Sequence, residues 1–278
     1  MTARLAALLA PLLLAACAVA PPPPRRDPPI AYPASVRDRI LRIAEAEWAE
    51  WGRITVGRDL PRPPSGLEGL PDNFPRVLAY WRAVPDAEAA GAVAANRALW
   101  VAAPGGAAGL WAEPAWSAAF VSYVMRSAGV DTREFTPSAA HSFYLDAIIR
   151  DAREYPATAP FIPRDIGERA PEPGDLICAD RSRTPLRSWR DRVPEAGQFR
   201  PMHCDIVLRA APGAVEAIGG NIADAVTLTI YPADATGILL PRERGSALVT
   251  VVENRLGRLP PFGPSPLVLS PLLSDAAR

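Results

Sequence analysis

Apolar residues recur at helical spacing through the first half of the chain, then collapse into short strand-length runs. Ser35 to Trp51 reads as a helix. Ile40, Ile43, Ala44, Trp48 and Trp51 form its stripe, Ser35 is its cap, Asp38 lies in its first turn and Gly52 stops it. Phe74 to Val84, with Val77, Leu78 and Trp81 on one face, predicts a second helix, and alanine-rich Ala87 to Leu99 a third. Pro114 suits a helix's first turn, and Trp116, Phe120, Tyr123 and Val124 line the side of the helix that follows, which Gly129 ends. Ser142 to Ile149 is a further helix, behind a turn at Thr136-Pro137-Ser138. After the proline-glycine break at Ala170 to Gly174 the period shortens. Strands are expected at Asp175 to Ala179, Cys204 to Arg209, Ala214 to Ile218, Val226 to Tyr231 and Leu248 to Glu253. Helices first and an antiparallel meander afterwards predict an α+β domain. Arg53 to Pro71 is expected to wrap the surface, and Arg181 to Pro201 to form a surface loop bordering a cleft.

The amino terminus changes the compartment. A basic start at Arg4, an apolar run from Leu5 to Ala16 and the sequence Leu14-Ala15-Ala16-Cys17 describe a secretory signal; a membrane span needs ~20 apolar residues. Leu-Ala-Ala-Cys resembles the bacterial lipobox, which implies cleavage after residue 16 and lipidation of Cys17. Ala18 behind the cysteine points to the outer membrane, facing the periplasm. The expected layout is a signal over 1–16, a proline-rich tether over 17–30, one domain over 31–258 and a proline-rich tail over 259–278.

Composition mainly excludes. Basic and acidic residues number 30 each, so no electrostatic footprint for nucleic acid exists. No Cys-x-x-Cys or His-Glu-x-x-His spacing occurs, and His203 and Cys204 point to opposite strand faces, so neither a metal nor a cofactor is expected. With Cys17 lipidated, Cys178 and Cys204 remain; an oxidising periplasm permits a bridge, and two buried thiols are the alternative.

The candidate chemistry lies in three pieces. Ser117 opens a helix, His203 opens a strand, and Asn221 follows Gly219-Gly220 on the next strand. His203 within about 3 Å of Ser117 would serve as its base, with Asn221 fixing the imidazole tautomer. Asp205 shares a strand face with His203 and is a second candidate orienter. Trp116, His141 and Arg181 are candidate substrate-binding residues around the same cleft, Arg181 as a clamp for peptide carboxylates. Blander readings stand beside these: Ser117 as a helix cap, His203 as a core histidine, His141 as a loop residue and Arg181 as a solvated cation.

Trp116-Ser117-Ala118-Ala119-Phe120-Val121, Pro173-Gly174-Asp175-Leu176-Ile177-Cys178, His203-Cys204-Asp205-Ile206-Val207 and Gly219-Gly220-Asn221 together resemble a bacterial family termed domain of unknown function 2272, over roughly Ile40 to Arg255. From Trp116 to Asn221 the motif order is also similar to the CHAP amidases and NlpC-type peptidases, which carry cysteine where Ser117 stands. That resemblance implies a papain-like (NlpC/CHAP-type) α+β fold, with N-terminal helices packed on a C-terminal antiparallel sheet. It implies peptidoglycan or cell-wall peptide as partner, and amide hydrolysis as the activity. A serine hydroxyl is a far weaker acid than a thiol of pKa about 8.5, so the substitution leaves two further readings open: a pseudoenzyme that binds peptidoglycan or an envelope protein, and a structural scaffold.

Overall fold

The computed structural model describes residues 29–57, 60–61, 63–103, 109–241 and 246–258. The signal segment, Cys17 and nearly all of the tether, and the tail from 259 lie outside the described residues.

Each helix is placed by the stripe it buries. α1 (Ser35–Glu50) buries Val36, Ile40 and Ala44, and α2 (Phe74–Arg82) buries Phe74, Val77, Tyr80 and Trp81. α3 (Ala87–Ala102) is capped by Asp86, whose carboxylate accepts from the Ala89 amide. α4 (Ser117–Ser127) is central: Ala118, Ala119, Phe120, Val121, Val124 and Met125 are all buried, as expected of a helix covered on more than one side. α5 (His141–Glu154) follows after an irregular stretch. It starts at His141, so that residue is helical and not part of a turn. Ser35 is the first residue of α1, with Ala34 at the cap position, and its hydroxyl accepts from Arg39 instead.

The strands are β1 (Thr55–Val56), β2 (Phe161–Asp165), β3 (Leu176–Asp180), β4 (Met202–Ala211), β5 (Ala214–Ile222), β6 (Ala225–Pro232) and β7 (Ala247–Asn254). They form one mixed sheet in the order β1-β6-β5-β4-β3-β7-β2, antiparallel except where β1 runs parallel to β6. The expected meander holds for β3-β4-β5-β6. β7 returns to lie between β3 and β2, which the order of strands along the chain does not disclose. The architecture is therefore α+β, with helices first and a mostly antiparallel sheet after them.

Two segments expected at the surface are partly internal. Arg53 to Pro71 supplies β1 and buries Glu68 at 5 % exposure. The Arg181 to Pro201 segment holds a 3-10 turn, Trp189–Glu195, whose Arg192 is fully buried and makes a bidentate pair with Asp146 of α5 at 2.8 Å on both arms.

Strand alternation splits the core. Leu176, Cys178, Cys204, Ile206, Leu208 and Ile218 face the helices, whereas Ile177, Val207, Val215, Ala217, Tyr231 and Val251 build a smaller cluster on the opposite face. Cys178 and Cys204 are directly opposed in the β3–β4 register and form a disulfide on the helical side. Its sequence separation is 26, for which loop-closure entropy gives about 3 to 4 kcal/mol. Reduction is expected to lower the urea midpoint accordingly; an unchanged midpoint in reduced, folded protein would show that the bridge stabilises nothing.

Asp175, the residue before β3, has a structural role. It is fully buried and accepts from the Glu172 and Asn254 amides and from Arg169, joining β3 to β7.

Candidate functional site

Ser117 occupies the first turn of α4. Trp116 is the cap residue and no side chain caps the helix, so the Ser117 hydroxyl is not used as a cap. The first intrahelical bond runs from the Phe120 amide to the Trp116 carbonyl, and the amides of residues 117–119 precede it. The hydroxyl is instead 2.7 Å from Nε2 of His141, the first residue of α5. Nδ1 of His141 is 2.5 Å from the Tyr144 hydroxyl, one helical turn on. Burial, reinforced by His203 and Arg181, holds the His141 imidazole well below its ordinary pKa, so it is neutral near pH 7. Burial and the charge of Asp205 push the Tyr144 phenol well up, so it keeps its proton. When Nδ1 carries the imidazole proton and donates it to Tyr144, Nε2 is left as an acceptor for the Ser117 proton. Ser117 and His141 thus have the arrangement of a nucleophile and its base.

His203 is not the partner of Ser117. Its Nε2 donates to Asp205 Oδ1 at 2.6 Å, and Asp205 Oδ2 accepts from Tyr231 at 2.5 Å. Burial alone would raise the Asp205 pKa; His203, Tyr231 and the Arg181 charge outweigh it, and the carboxyl stays below its usual range. The reason His203 misses Ser117 is alternation along β4 and β5. Gly220 faces α4, where an added Cβ would lie 2.6 Å from Phe120 Cβ. Gly219 faces away, and its added Cβ would lie 1.8 Å from Asp205 Oδ1. His203 and Asp205 therefore belong to the sheet face turned from α4, with Tyr231. His141 sits between the two groups, its ring centroid 5.2 Å from that of His203 in an edge-to-face contact.

Asn221 does not orient an imidazole either. It adopts φ 57° at the end of β5 and donates to Glu68 Oε2 at 2.8 Å. Trp116 is fully buried, stacked on Trp51, and its indole N–H donates to the same Glu68 oxygen at 2.6 Å, so it packs the core and lines no open surface. Arg181 is exposed and bears electrostatically on His141 and Asp205. Of the residues expected together, Ser117, His141, His203 and Asp205 do converge, with roles redistributed among them.

Tyr144, Tyr231 and Glu68 are the participants that sequence reasoning omits. His141 and Tyr144 at i and i+3 on a helical pattern carried a usable signal. Glu68, between Leu67 and Gly69 in a proline- and glycine-rich stretch, carried none.

The family described as an uncharacterized protein conserved in bacteria, DUF2272, matches residues 69–255. This chain belongs to DUF2272. The match spans about two thirds of the 278 residues and takes in α2 to β7, hence Ser117, His141, His203 and the disulfide, while Glu68 falls one residue before it. No curated protein and no solved structure matches this DUF2272 chain. No metal-holding group of His, Cys, Asp and Glu occurs among the described residues, and no helix there is long and apolar enough to cross a membrane.

Proposed function

We propose that this DUF2272 chain is a serine acyl hydrolase of the bacterial envelope, cutting amide bonds in peptidoglycan peptides. The observation that carries the proposal is the 2.7 Å contact between the Ser117 hydroxyl and a neutral His141. Ser117 attacks the carbonyl carbon, His141 Nε2 takes its proton, and the helix-start amides of residues 117–119 favour the developing oxyanion. Collapse breaks the amide bond, the proton passes to the leaving amine, and water releases the acyl group from Ser117. The helix-to-strand motif order supports a papain-like arrangement in which the base comes from a helix residue, His141, while the strand histidine is bound to Asp205. The lipobox-like start supports anchoring through Cys17 at the outer membrane.

A second reading has an observation of its own. Ser117, His141 and His203 are only 6, 4 and 4 % exposed, which favours a structural envelope scaffold in which the three residues tie α4, α5 and the sheet together without turnover. Two measurements on the full chain separate these. The hydrolase is expected to take up one fluorophosphonate at Ser117, to lose that labelling in Ser117→Ala, and to release new amine termini from muropeptides. Folded protein that does neither between pH 5 and pH 9 would leave only the non-catalytic reading.

A further inference from the structure

Glu68 belongs to no part of the chemistry above, yet its surroundings are specific. A single carboxylate oxygen accepts from the Trp116 indole at 2.6 Å and from Asn221 at 2.8 Å, with the residue 5 % exposed. Two residues earlier, the Gly66 amide donates to Asp224 at 2.7 Å. The short strap Gly66 to Leu70 is thus pinned at two points: to the residue preceding Ser117, and to the β5–β6 turn. That turn is itself held in a conformation that side chains rarely adopt, with positive φ at Asn221, Ala223 and Asp224. The backbone strain there is maintained by the contacts with the strap.

The clamp is built on a proton. Asp224 presses on Glu68 from the turn and Glu113 from the segment before α4, both with negative charge. Burial pushes the Glu68 carboxyl up, these two charges add to it, and the Trp116 and Asn221 hydrogen bonds offset only part, leaving it at about 7. Lifted into water, the same group has its ordinary pKa of 4.5. An ionised Glu68 therefore favours the lifted strap.

We propose that Glu68 is a proton-operated clamp: protonated, it ties the strap Gly66 to Leu70 over the Ser117 end of α4, and ionised, it lets the strap lift. The clamp stands apart from any catalysis. Its consequence, that Ser117 becomes more reachable as pH rises through 7, rests on the hydrolase reading.

The Gly66 amide bonds out of the strap to Asp224 on the β5–β6 turn and reports whether the strap is docked. Hydrogen exchange in the full chain, corrected for the intrinsic rate, is expected to show protection of the strap falling about 30-fold from pH 5.5 to 8.5. Glu68→Gln keeps an oxygen for Trp116 and Asn221 but cannot ionise, and its protection should be independent of pH. Asp224→Asn still accepts from Gly66 and removes one pressing charge, so the midpoint should move to lower pH. Wild-type protection that ignores pH, or an unchanged fall in Glu68→Gln, would overturn the clamp. Fluorophosphonate labelling of Ser117 should rise over the same interval in wild type alone. A strap that titrates with Ser117 never labelled would sink the hydrolase reading and leave the clamp standing.

Discussion

His141→Gln is expected to slow acylation of Ser117 on the order of 10³-fold, whereas His203→Gln leaves the rate within about tenfold. The asymmetry follows from which imidazole meets the hydroxyl. Nε2 of His141 is 2.7 Å from Ser117 Oγ, while Nε2 of His203 is committed to Asp205 at 2.6 Å. Glutamine at 141 preserves a polar contact with Ser117 but cannot accept and hold a proton in the transition state. The pH dependence gives a second test. Burial, then His203 and Arg181, depress the His141 pKa, and a base works only while neutral. In a Glu68→Gln background, where the clamp no longer titrates, activity that depends on His141 should therefore persist below pH 6.5, and removing the His203 ring, by raising the His141 pKa, should move the acid limb to higher pH. The rate of fluorophosphonate labelling, followed by mass spectrometry against pH in both variants with circular dichroism to confirm folding, reads this directly. A large loss in His203→Gln with little loss in His141→Gln would mean that the strand histidine, not the helix histidine, serves Ser117.

The helices and most strands were legible because each has one buried stripe or face that leaves a period in the sequence. Ile40 and Ala44 in α1, Val77 and Trp81 in α2, and Phe120 and Val124 in α4 fall on the helical sides that the pattern picks out. Observed ends differ from expected ones by a few residues, as for β4, which extends from Met202 to Ala211. β1 and β2 were missed for physical reasons. β1 has two residues, too short for alternation to register, and β2 carries Pro163 and polar Arg164 and Asp165 on the sheet edge, where neither weakens a ladder on both sides.

The site was legible as a set of residues and illegible as a set of pairs. That His203 and Asp205 share a strand face follows from alternation alone, and they do meet. What alternation along β4 does not reveal is which face the helices cover. Cys204 resolves that, since its disulfide and its neighbours Ile206 and Leu208 belong to the helical core, sending His203 to the other face. Reading His203 as the base of Ser117 assumed the reverse. His141 fills the resulting gap because α5 begins at it, one residue earlier than the apolar pattern of Ser142 to Ile149 indicates.

Gly219→Ala is expected to be the most damaging single methyl in the domain, destabilising it by about 3 to 5 kcal/mol. The added carbon would lie 1.8 Å from Asp205 Oδ1 and 2.8 Å from Asp205 Cγ, so the carboxylate must leave its place. Asp205 is fully buried, and moving it breaks its bonds to His203 and Tyr231 together, stranding a charge without the groups that hold it ionised. Gly220→Ala acts on the opposite face by a different route. Its methyl would meet Phe120 Cβ at 2.6 Å and Trp116 Cζ3 at 2.9 Å, two buried rings on the Ser117 end of α4. Overpacking of this kind costs about 1 to 3 kcal/mol, since α4 can yield as a body where a buried charge cannot. Urea unfolding of the two variants should therefore rank Gly219→Ala below Gly220→Ala. Their pH responses should differ as well: stability lost through Asp205 is stability that a low carboxyl pKa supplied above the unfolded value, so the deficit of Gly219→Ala should shrink as pH falls toward the Asp205 titration, while that of Gly220→Ala should not. A Gly219→Ala protein as stable as wild type would mean that Asp205 and His203 are free to rearrange, and that their pairing does not fix the sheet face on which they stand.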